Sequence, residues 1–202
     1  RELRKMGVAL AAGVIAALVL ALPFVWNQSV PGVPGFLSPI ACLIRLYTNT
    51  LGYYGYVTVN ASNIYILFDM NWAKLTDHIA TMWVGRAALA AIFVSAIAFY
   101  ARARIKSGKR DKLFLVCAYA LVMCFSFGTQ MHERYMLPAI LLMGLAYAVD
   151  RDVRLLLAGL LVTLGSFVNC ALVLQNTHLI AEQATANKLA ALLNLSGALT
   201  LL

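Results

Sequence analysis

Three consecutive ionisable residues, His132, Glu133 and Arg134, stand between two apolar runs. A charge at the centre of a membrane-crossing helix costs about 2.5–3.5 kcal/mol on insertion scales, so such a triplet belongs at an interface or in a wet cavity. Its chemistry suits an anion. Arg134 offers a planar fork of donors to a phosphate. His132 donates a hydrogen bond or carries a proton, and Glu133 orients either one. The plainer reading is a Glu133–Arg134 ion pair that marks the membrane boundary. Pro138 leaves two geometries open. Either it occupies the first turn of a helix and the triplet forms the tight turn before it, or the helix starts near Gln130 and Pro138 kinks it.

A second polar group lies between Tyr56 and Trp72. Tyr56, Asn60, Asn63 and Leu67 recur at i, i+4, i+7 and i+11, which predicts one face of a helix. Two carboxamides with Tyr56 or Tyr65 would supply the donors and acceptors that sugar hydroxyls need. The same residues also serve helix capping and helix–helix hydrogen bonds. Arg86, about two turns into an apolar run, either snorkels outward or meets a lipid phosphate. Asp77 with His78, and His178 with Glu182, read as solvated surface, since two ligands at i, i+4 fall short of a metal site. The four cysteines, Cys42, Cys117, Cys124 and Cys170, form no CxxC, so neither a disulfide framework nor a metal site is expected. Dependence on a divalent cation stays open.

The elements that must position these groups follow from composition. Of 202 residues, 62% are hydrophobic and 12% charged. That excludes a disordered chain, a nucleic-acid-binding module and a water-soluble domain, which needs a polar skin. The expected fold is all-α, a polytopic integral membrane helical bundle. Its spans fall near 6–26, 79–100, 113–128, 135–149 and 155–174, with a sixth, 189–202, cut short. A long loop, 27–78, carries interfacial helices. The chain starts at Arg1 and stops inside an apolar run, and is expected to be part of a longer protein with all 202 residues in one transmembrane domain. With the N-terminus cytoplasmic, eleven Lys and Arg fall inside: Arg1, Arg4, Lys5, six between 102 and 112, Arg151 and Arg154. Five fall outside: Arg45, Lys74, Arg86, Arg134 and Lys188. The asymmetry orients the chain and puts the loop 27–78, the triplet and segment 175–188 on the outer face. The basic run 102–112 faces cytoplasmic headgroups.

The string Phe127-Gly128-Thr129-Gln130-Met131-His132-Glu133-Arg134-Tyr135-Met136-Leu137-Pro138-Ala139 resembles the His-Glu-Arg-Tyr signature of bacterial polytopic mannosyltransferases, relatives of the enzyme that adds the second mannose of GPI anchors. Val59-Asn60-Ala61-Ser62-Asn63, followed by Asn71-Trp72, is similar to that family's Asn-Ala-Phe-Asn motif and its Asn-Trp. The resemblance implies the C-terminal part of a GT-C-type enzyme in a bacterial plasma membrane. Such an enzyme transfers a hexose, mannose in the family, from a polyprenyl-phosphate donor to a glycan, lipid or protein acceptor on the extracytoplasmic face. It implies that His132, Glu133 and Arg134 lie near the donor phosphate and that Asn60 and Asn63 lie near the cavity. The family's general base belongs to an N-terminal half, so no Asp or Glu here takes that role. Gln130 stands where Arg is common, which removes one phosphate contact, and Ser62 stands where Phe is common. The rival class is a non-enzymatic membrane protein, a transporter half or an assembly subunit. It would be expected to carry ionisable or broken-helix groups near mid-membrane.

Overall fold

Long uncharged apolar runs, each ended by Pro, Gly or a polar cluster, leave the backbone one economical solution, a helix that satisfies its own hydrogen bonds. The computed structural model describes residues 2–107, 112–175 and 181–202. Among these the helices are α1 (Glu2–Val25), α2 (Ser38–Tyr53), α3 (Ile79–Ser107), α4 (Leu113–Phe127), α5 (Leu137–Asp150), α6 (Val153–Leu174) and α7 (Ala181–Thr200). The fold is all-α apart from one two-residue parallel ladder, β1 (Thr58–Val59) with β2 (Met131–His132). Lys109, Arg110 and His178 lie outside the described residues.

The chain divides into two compact units, Arg1–Tyr54 and Gly55–Leu202. The first holds α1, with Pro23 inside its last turn, and α2, which starts with Pro39 in its first turn. The Ser38 hydroxyl accepts from the Val30 N–H at 3.3 Å in the connection between them.

In the second unit α3 to α7 pack in sequence, and α7 returns against α6 and α4. Among the described residues two helices, over residues 79–103 and 153–174, are long and apolar enough to cross a membrane. α4 and α5 are shorter than a full crossing, with 15 and 14 residues, about 21–22 Å of rise against a hydrocarbon core of about 30 Å. The core is built from Val122, Phe125, Met136, Met143 and Val162 with small residues between them.

Those small residues set the closest helix contact. On α6 a Cβ at Gly165 would sit against the Asn194 amide and 2.9 Å from the Ala190 carbonyl of α7. At Gly197 of α7 it would lie 2.6 Å from Val162 Cγ2. Ala158, Ala190, Ala191 and Ala198 are fully buried along the same seam. Lipid tails are as apolar as leucine, so helices inside a bilayer gain by such close backbone approach rather than by leaving water.

Gly165→Ala and Gly197→Ala should each lower stability by about 1–3 kcal/mol through overpacking. Gly144 on α5 has open space around its Cβ position, so Gly144→Ala should be neutral or stabilising by up to about 1 kcal/mol. Unfolding in detergent measures all three. Equal effects would refute the close seam.

Candidate functional site

The two polar segments read separately in the sequence meet in space. Thr58 pairs with Met131 and Val59 with His132, and Asn60 bridges His132. The other side of 55–59 is paired as well. The Val57 N–H donates to the Ala73 carbonyl at 2.8 Å, and the Trp72 N–H to the Thr58 carbonyl at 3.0 Å. The Gln130 N–H donates to the Val57 carbonyl at 2.7 Å. Residues 55–59 are thus an extended segment held between 71–75 and 130–132.

This corrects the helical face predicted for Tyr56, Asn60, Asn63 and Leu67. The chain is extended to Val59, turns at Asn60, and enters a single 3₁₀ turn only at Ile64–Phe68. The physical reason is local. Val57, Thr58 and Val59 are β-branched and prefer extended backbone. Asn60 takes a left-handed conformation at φ 54°, which Asn tolerates better than most residues. The Asn63 side chain accepts from the Tyr65 N–H at 3.1 Å and so starts the 3₁₀ turn.

Asn60 is the hub of the loop. Its N–H donates to Asn71 Oδ1 at 2.8 Å. Its Oδ1 accepts from the Trp72 indole N–H at 2.8 Å and from Asn71 Nδ2 at 3.2 Å. Trp72 and Gln130 are themselves left-handed, at φ 59° and 61°, each costing about 1–3 kcal/mol. The indole bond to Asn60 and an edge-on contact with Tyr56 at 5.0 Å hold Trp72 in place. Asn63 is fully buried and donates to the Gly128 carbonyl at 3.4 Å. Asn60 and Asn63 are therefore engaged on backbone and neighbouring side chains, and Tyr56 is half-buried beside them.

Pro138 lies in the first turn of α5, so the first of its two geometries is realised. Glu133–Met136 form the 3₁₀ turn before it. His132 is buried, and its Nδ1 lies 3.0 Å from Glu133 Oε2. Glu133 thus pairs with His132, not with Arg134 as in the plainer of the two readings. Arg134 is exposed and makes no ion pair among the described residues. Arg86 is also exposed, its guanidinium 5.1 Å from the Trp83 ring centre. Among the described residues no three His, Cys, Asp or Glu side chains come together to hold a metal.

Two residues that hold this loop escaped sequence reasoning. Asn169 of α6 donates through Nδ2 to the Asn60 carbonyl at 2.7 Å and accepts through Oδ1 from the Ser62 N–H at 3.0 Å. Asn194 of α7 donates to the Ser62 carbonyl at 2.9 Å. Both are buried; Asn169 is the one amide on α6, and Asn194 stands among other polar residues on α7, so neither is singled out by its own helix. Tyr65 completes the attachment, its hydroxyl donating to the Phe127 carbonyl at 2.8 Å.

Beside Tyr65 an apolar groove of about 410 Å³ runs between the 3₁₀ turn and α3, lined by Ile64, Phe68, Met70, Val84 and Ala88. The loop end of the second unit therefore joins three features: a braced polar loop, an exposed guanidinium and an apolar groove.

Asn169→Leu strands the Asn60 carbonyl and the Ser62 N–H without their partner and should cost about 2–4 kcal/mol in unfolding experiments. Burial pushes the Tyr65 phenol above its ordinary value. Its neutral form is the one the fold holds, so this contribution is complete below about pH 10 and is lost as pH rises through the folded value. Tyr65→Phe should remove that part of the alkaline loss, read from melting temperature against pH. No family model, curated protein or solved structure matches this chain.

Proposed function

We propose that this chain forms part of a membrane glycosyltransferase that moves a hexose from a polyprenyl-phosphate donor to an acceptor on the extracytoplasmic face. The observation that carries the reading is the ladder joining Val59 to His132. It brings the asparagine segment and the ionisable triplet, the two parts of the sequence resemblance, to one place. The apolar groove beside Tyr65 at the same end suits part of an isoprenoid chain.

In this proposal the chain lies in the membrane as a polytopic bundle, with the loop end outside. The donor's phosphate faces the triplet. As the sugar leaves, charge builds on that phosphate, and donors already in place stabilise it without reorganisation. Arg134 is exposed and pairs with no carboxylate among the described residues, so its fork is available to an anion. Glu133 fixes the ring of His132 through the 3.0 Å contact at Nδ1. A base outside the residues assigned here takes the acceptor's proton. The amides of Asn169 and Asn194 are both engaged on loop backbone.

Arg134→Ala in the full-length product should lower transfer from lipid-linked mannose by about 10²–10³-fold, as for loss of one charge-stabilising donor. The melting temperature should hold, since the side chain is exposed. Unchanged turnover would overturn the assignment.

A further inference from the structure

Among the described helices α2 separates its apolar from its polar residues most sharply. Ile40, Ile44 and Tyr47 recur at i, i+4 and i+7 and share one face, with Leu43 beside them. Arg45, Thr48 and Asn49 fall on the other side, and Leu46 stands alone on the far flank. Leu43 is packed inside the first unit, but Ile44 and Tyr47 are 61% and 69% exposed. Arg45, Thr48 and Asn49 are exposed as well. Within the first unit both faces of the helix therefore stand open. Phe36, in the 3₁₀ turn at Gly35–Leu37 that leads into α2, is also exposed.

We propose that α2 lies in the plane of the membrane–water interface, with Ile40, Ile44 and Tyr47 against phospholipid acyl chains and Arg45, Thr48 and Asn49 toward headgroups and water. A protein partner would need to cover only the apolar face. A boundary between lipid and water accounts for both faces at once. α2 is too short to cross. Its 16 residues rise about 24 Å against a hydrocarbon core of about 30 Å, and Arg45 falls near its middle. Charge agrees with a phospholipid surface. No Asp or Glu occurs from residue 3 to residue 68, and Arg45 is the only charged residue from 27 to 68, so it meets lipid phosphates without a competing carboxylate nearby in the chain. The chain also arrives at the right level. α1 carries no charge from Met6 to Val25 and is followed by Trp26, a residue type enriched at membrane interfaces. The Val30–Ser38 bond then ties the start of α2 to a point five residues beyond the end of α1.

This placement rests on the membrane reading proposed above and not on glycosyl transfer. It divides the segment 27–78 into two kinds of structure. Lipid holds α2, whereas the β1 ladder and the amides of Asn169 and Asn194 hold residues 57–63.

The test uses the full-length product in phospholipid nanodiscs, with p-benzoylphenylalanine placed in turn at positions 44, 47, 48 and 49. Irradiation joins the benzophenone to a neighbouring C–H group, and intact-protein mass spectrometry reads the mass of one added phospholipid. Positions 44 and 47 should give lipid adducts several-fold more abundantly than positions 48 and 49. At position 47 one aromatic replaces another at an exposed site, so the melting temperature should hold there and that position decides the question if another perturbs the helix. Equal lipid adducts at all four positions would sink α2 into the bilayer. Peptide crosslinks from 44 and 47 would mean that another protein surface covers the face, and no adduct at either would leave the face in water. Each of these three results overturns the proposal. The membrane reading fails in a different way. Release of the protein from cell membranes by alkaline carbonate removes that reading, whereas an integrated protein without lipid adducts at 44 and 47 removes only the interfacial α2. Absence of glycosyl transfer leaves both standing.

Discussion

A buried backbone carbonyl or N–H must find a partner, and at the loop end of the second unit this requirement governs the structure. Residues 57–63 are neither helical nor exposed. Val57 through Ser62 are all buried, so every peptide group there needs a partner other than water. The ladder with β2 and the contacts to 71–73 satisfy the first half. Asn169 and Asn194 satisfy the second. Asn169 acts as a peptide group would, giving one hydrogen bond to the loop and taking one from it. Without those two amides the segment after Asn60 would lack its anchor. The placement of Asn60 beside His132 and the left-handed turn at Trp72 depend on that anchor.

The helices were legible because their signal is collective. Long apolar runs bounded by Pro31, Pro34, Gly128 and the Asp150–Asp152 turn define α1, α4, α5 and α6 to within a few residues. The start of α5 was legible in kind, since Pro138 allows two geometries and a first-turn proline is the less costly of them. The segment 56–67 was not legible in the same way. The spacing of Tyr56, Asn60 and Asn63 matches a helix by coincidence, while the β-branched run Val57–Val59 carries the contrary signal. Partners more than a hundred residues away decide between them. For the same reason Asn169 and Asn194 could not be found from spacing. Asn169 is the one amide on α6, and Asn194 is one of several polar residues on α7; the meaning of both lies in a loop that the spacing predicts to be helical.

The two ends of the second unit differ in chemistry. At the loop end the buried polar groups are mainly neutral amides, while Lys74, Asp77, Arg86 and Arg134 are exposed and Asp69 pairs with Lys188. At the opposite end the turns are short and charged. Lys112 meets Asp150 at 2.8 Å, and Asp152 caps α6 while Arg154 holds its carboxyl below the usual range. Short charged turns suit an end that only connects helices. A cluster of buried amides presents both donors and acceptors, which suits holding an irregular segment by its hydrogen-bond pattern.

The glycines of the α6–α7 seam acquire a second meaning from this arrangement. Asn169 lies one turn beyond Gly165 on α6, so the two share a face. The Asn194 amide packs over Gly165, where any Cβ would displace it. Close approach of the helices is therefore what lets Asn169 and Asn194 reach the same residue, Ser62, one at its N–H and one at its carbonyl. A wider seam would separate the two amides and leave one side of the Ser62 backbone without a partner. The small residues thus do more than pack two helices. They set the spacing at which a pair of buried amides holds one irregular segment, and so the position of every polar group that the segment carries.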